Sequence, residues 1–122
     1  MMRTFLLVAA VAMLLAACSL ATEDRLRGSY VHHAEGDYSL ADDTLVVSFV
    51  AAQRYEIVRR TGFNLIRAGR MGSRQHETEN WSVSYDPAAQ LLLERLRGKR
   101  IRVELDRGML IIGNREYRKI KP

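Results

Sequence analysis

The chain has 122 residues, 48% of them hydrophobic, and 19 Lys and Arg against 14 Asp and Glu give it a formal net charge of +5. That length bounds it to one domain around one core, and the balance of charges is mildly basic, not polycationic. The single cysteine, Cys18, excludes an intramolecular disulfide, so stability has to come from packing.

Arg3 supplies the only charge before an unbroken apolar run over residues 5–17. A secretory signal has a basic start, an apolar segment of roughly 7 to 15 residues and small residues before the cut. A membrane-spanning helix takes about 20 apolar residues, so the run is read as a signal peptide, residues 1–17. It ends in Leu15-Ala16-Ala17-Cys18, which resembles the lipobox of bacterial lipoproteins. The resemblance implies diacylglyceryl attachment to the Cys18 thiol, cleavage between Ala17 and Cys18, and acylation of the new amine by a fatty acid such as palmitate. Each buried methylene contributes about 0.8 kcal/mol, so two or three acyl chains hold a protein firmly to a bilayer. The implied partner is therefore a membrane, reached through lipid on Cys18. Ser19, where an aspartate would favour inner-membrane retention in that family, ranks the outer membrane of the cell envelope above the inner one. An ordinary secretory signal that happens to end at Cys18 ranks below the lipoprotein reading.

Residues 18–27 are polar, contain Glu23, Asp24, Arg25 and Arg27, and show no strand alternation; they are read as a lipidated tether. From Gly28 to Pro122 the dominant spacing is two, which puts successive side chains on opposite faces of a sheet. Tyr55 and Ile57 alternate with Arg54 and Glu56, Trp81, Val83 and Tyr85 with Asn80, Ser82 and Ser84, and Ile101, Val103 and Leu105 with Arg100, Arg102 and Glu104. Residues 44–50, 63–66, 90–93 and 109–112 are apolar on both sides and are expected to be more fully covered. Turn residues fall between, among them Asp42-Asp43, Thr61-Gly62, Gly69, Gly72-Ser73, Asp86-Pro87, Arg97-Gly98, Asp106-Arg107-Gly108 and Gly113-Asn114. Residues 87–96 also suit a short helix, but strand is preferred. The expected domain, 28–122, is all-β: a small antiparallel meander closed as a barrel or folded as a sandwich.

Gly28-Ser29-Tyr30 opens the first strand much as a Gly-x-Trp motif opens lipocalins, and the body in this sense resembles lipocalin-like domains, with Tyr30 in place of the tryptophan. It is similar also to small β-domain lipoproteins of bacteria. The lipocalin resemblance implies an antiparallel calyx able to hold a small apolar ligand. An eight-stranded barrel can equally fill itself with side chains, and Tyr30, Phe49, Tyr55, Phe63, Trp81, Tyr85 and Tyr117 are the large residues available for that.

Candidate chemistry is sparse. His32 and His33 are neighbours, so on a strand they face opposite ways and do not readily share a metal. A zinc site from His33, Glu35 and His76 is conceivable, but no spacing demands it. Ser29, Ser39, Ser48, Ser73, Ser82 and Ser84 lack a nucleophile-elbow context. Glu35 with Asp37 and Asp42 with Asp43 fall on turn-rich ground, where turn chemistry is the ordinary explanation. Arginines recurring along the chain, such as Arg100 and Arg102, read as the wet face of a sheet, and nucleic acid is not an expected partner. No metal, cofactor or catalytic residue is assigned; Cys18 is the one assigned site, for lipid. Three functions stay in order: a protein-interaction or structural module of the envelope, a lipocalin-like carrier, and, last, an enzyme.

Overall fold

The computed structural model describes residues 22–37 and 39–122, so the signal segment and Cys18 lie outside the described residues. The period-two pattern becomes strands: β1 (Gly28–Glu35), β2 (Ser39–Ala51), β3 (Arg54–Arg67), β4 (Arg70–Met71), β5 (Gln75–Asp86), β6 (Leu91–Glu94), β7 (Arg100–Glu104), β8 (Met109–Ile112) and β9 (Arg115–Lys121). All pairings are antiparallel. Each strand pairs with the next, with β5 following β3, and β9 returns to β1, so eight strands close into a barrel while β4 hangs from the end of β3. The barrel, not the sandwich, is the outcome.

The alternation puts one face of every strand on the axis. Leu45 and Val47, Tyr55 and Ile57, Trp81, Val83 and Tyr85, Ile101 and Val103 join Tyr30, Leu92, Leu110 and Tyr117 in one buried cluster. Five of the seven large residues expected inside are buried; Phe49 is instead 38% exposed and Phe63 half-buried. Phe49 and the 47%-exposed Val50 lie where β2 runs past the barrel toward its turn, so residues 44–50 are less covered than their composition suggests. Residues 87–96 form turns around β6, a strand and not a helix. Leu105 leaves the strand for a single 3-10 turn, Leu105–Arg107, yet still packs on the core.

Three departures from the sequence reading matter. Asp42-Asp43 and Thr61-Gly62 are not turns: they lie in the middle of β2 and β3, directly paired across the ladder. Residues 22–26 make a helical turn, and Leu26, expected in a polar tether, is completely buried in the barrel end. The Tyr30 hydroxyl donates to the Leu26 carbonyl at 2.8 Å, and Lys119 Nζ donates to the Arg25 carbonyl at 2.8 Å, tying this turn to β1 and β9. Gly28 fits the same crowded end. Its φ of +142° disfavours other residues, and a Cβ there would stand 2.3 Å from the Lys121 carbonyl oxygen.

The strands are unequal in length. β2, β3 and β5 have 12 to 14 residues, whereas β6, β7 and β8 have four or five. β6 pairs only with residues 83–86 of β5, so β5 from Gln75 to Ser82 has β3 on one side and no strand on the other among the described residues. A sheet of β2, β3 and β5, with the end of β1 from His32 to Glu35 beside β2, therefore stands up beyond the closed barrel. At about 3.3 Å per residue, β3 spans some 45 Å from one tip to the other.

Candidate functional site

At the mouth where this sheet leaves the barrel, Asp43 faces inward in phase with Leu45 and Val47 and is 4% exposed. A carboxylate at that depth needs partners, because burial without them costs several kcal/mol. Arg59 of β3 supplies Nε at 2.9 and 3.0 Å and Nη2 at 2.8 Å; Thr61 donates its hydroxyl at 2.9 Å and Tyr117 of β9 at 2.6 Å. Burial pushes the Asp43 carboxyl up, but the bonds from Arg59, Tyr117 and Thr61 outweigh it and hold it below the usual range. Burial, and then the bond to Asp43, push the Tyr117 hydroxyl up to about 12. With its oxygens occupied by these donors, Asp43 ties β2, β3 and β9 together.

The rim above this network is polar. Glu79 lies 3.9 Å from Arg59 and accepts the Trp81 indole N–H at 3.1 Å, and Lys99 Nζ sits 4.0 Å from the Trp81 ring centre. His32 stacks obliquely on Tyr117, with ring centres 5.4 Å apart, and its Nδ1 donates to the Glu116 carbonyl at 2.9 Å. Farther out, the same face of the protruding sheet carries half-buried Phe63 and Leu65 beside exposed Gln75 and Glu77.

The opposite face of that sheet carries a clamp. Arg74 lies over Gly62, where a Cβ would meet its guanidinium at 2.5 Å, and bonds Asp42 and Asn64 at 2.8 Å each. Asn64 in turn donates to the Gly72 carbonyl at 3.0 Å, so the residues around β4 are pinned to β3. His33 hydrogen-bonds Asp42, which raises the imidazole above its ordinary value and lowers the carboxyl.

The conceivable zinc site does not assemble. His33, Asp42, Gly62 and His76 occupy one row across β1, β2, β3 and β5, which separates the two histidines by three strand spacings, about 14 Å. Among the described residues no group of three His, Cys, Asp or Glu is placed to hold a metal ion, and Glu35 lies 3.8 Å from His33, not beside His76. No described serine side chain bonds a histidine; Ser48 donates to the Glu56 carbonyl at 3.4 Å. Sequence reading missed Asp43 and Arg59 as a buried pair. The available signal was their phase, since each continues the inward face of Leu45-Val47 or Tyr55-Ile57.

Compared with known proteins, the chain matches no family model, no curated protein and no solved structure.

Proposed function

We propose that the protein is a lipoprotein of the bacterial cell envelope, held by acyl chains on Cys18 to the outer rather than the inner membrane, and that it acts as a protein-interaction module. The observation that carries this reading is the division of the molecule into a barrel packed with its own side chains and a sheet that outgrows it. Tyr30 and Tyr117 are each 1% exposed and fill the axis with Ile57, Leu92, Ile101 and Leu110, all fully buried. A cleft of about 330 Å³ bordered by Thr22, Gln53, Tyr85 and Pro87 lies at the surface of the described residues, at the barrel end and not along its axis. A carrier of a small apolar molecule uses an apolar cavity that encloses most of it. The protruding sheet instead offers an open strand edge along residues 75–81 beside Phe63 and Leu65, the geometry by which an extended segment of a partner adds a strand.

The lipid anchor is checked by growing cells with a labelled fatty acid: the wild-type chain takes up label, and Cys18→Ala abolishes both label and membrane retention. The interaction is checked by placing a photo-crosslinking amino acid at Thr78, on the open edge, or at Arg102, on the outer wall. A discrete adduct from position 78 alone is the expected result. Adducts of equal yield from both positions would remove the case for the edge.

A further inference from the structure

We propose that the barrel end bearing residue 22 is seated in the interface of the bilayer that holds the anchor, through two apolar hairpin tips. The inference rests on the lipoprotein reading above and adds the orientation of the domain.

The first tip joins β2 to β3. Phe49 and Val50 are 38% and 47% exposed, and Ala51 and Ala52 beside them are also exposed, with Gln53 completing the two-residue turn at a positive φ of 60°. The second joins β5 to β6 and presents exposed Pro87, Ala88 and Ala89. Asp86 accepts the backbone N–H groups of Ala88 and Ala89 at 3.0 and 3.3 Å, so this turn is built, with its small apolar side chains outward. The tips are neighbours: Ala52, Gln53 and Pro87 border one cleft together with Thr22 and Glu23. Ile120, 59% exposed at the end of β9, lies at the same end, since Lys121 packs on Gly28.

Chain length brings this end to the membrane. Cys18 precedes Thr22 by four residues, which span at most about 14 Å when extended. The headgroup layer on each side of a bilayer is itself roughly 5 to 8 Å deep. The residues nearest the lipid are thus the two tips. A short apolar tip placed in the interfacial region loses contact with water, and the backbone cost is limited because Asp86 already accepts the Ala88 and Ala89 N–H groups and Tyr85 N–H already donates to the Gln53 carbonyl. The opposite tips, residues 36–37 and 68–74, then lie at the far end of β3, away from the membrane. The open edge of β5 faces outward from the bilayer, accessible to a protein partner.

Cys18 being the only cysteine, lipidation leaves no free thiol, and a new one can be labelled alone. The experiment takes the processed full-length lipoprotein in phosphatidylethanolamine and phosphatidylglycerol vesicles, with Ala52→Cys, Ala88→Cys or Ser73→Cys carrying an environment-sensitive fluorophore. Spin-labelled lipids with the quencher near the headgroup should remove most of the emission at 52 and 88 and leave position 73 unchanged. Val50→Asp in the Ala88→Cys chain should restore emission at 88 while the lipid still holds the protein on the vesicle. Equal quenching at 52, 88 and 73 overturns the orientation, as does a Val50→Asp variant that changes nothing. A wild-type chain whose Cys18 reacts with the dye overturns the lipoprotein reading itself, which keeps the two failures distinct.

Discussion

Removing the carboxylate of Asp43 takes the main partner from Arg59, whose side chain is only 20% exposed. Asp43→Ala is expected to cost about 3 kcal/mol, because breaking one side of a buried pair leaves an uncompensated charge. Urea denaturation at pH 7 measures it. The folded-state carboxyl titrates below its ordinary 3.8, so its contribution is present above that value and is lost as pH falls through the lower folded one. The gap between wild type and Asp43→Ala should accordingly narrow on acidification below about pH 4. His33 behaves in the opposite sense. The bond to Asp42 raises its imidazole above 6.5, so the attraction exists while His33 is protonated and Asp42 ionised, and fades as pH rises through the elevated value. NMR titration should find His33 above 6.5, and Asp42→Asn should bring it back, with Glu35 leaving a small residual shift.

At the scale of elements, the clamp on β3 and the inward faces of the strands give separate expectations. Gly62→Ala drives the Arg74 guanidinium away, because the Cβ would stand 2.5 Å from Nη2. That atom is the far end of a flexible side chain, so the barrel should survive with a loss of about 1 kcal/mol. The bonds to Asp42 and Asn64 should break, and backbone amides 70–74 should exchange faster with solvent. Arg102→Val should be tolerated and Val103→Arg should not, since Val103 is 3% exposed and Arg102 lies on the wet face. That contrast was legible in the sequence, as were Trp81-Val83-Tyr85 and Tyr55-Ile57, because alternation reports directly which face is buried. Asp42-Asp43 and Thr61-Gly62 misled for a physical reason. Both pairs have turn composition, yet Asp43 is satisfied by Arg59, Thr61 and Tyr117, partners distant in sequence, and Gly62 is small to admit Arg74, not to turn the chain. Likewise Leu26 sits among charged residues of an apparent tether, and only the closed barrel supplies the pocket that buries it.

For the whole molecule, a cluster of the barrel's own side chains is buried inside it, under a free-standing sheet. The network around Asp43 blocks one end and Leu26 the other. The most direct test is to purify the processed protein from its native membrane, extract it with organic solvent, and compare the non-covalent small molecules by mass spectrometry with those from an unrelated lipoprotein. The filled barrel predicts the same background lipids in both, each well below one molecule per chain. A stoichiometric apolar compound found with this protein alone would contradict the account and make the barrel a carrier.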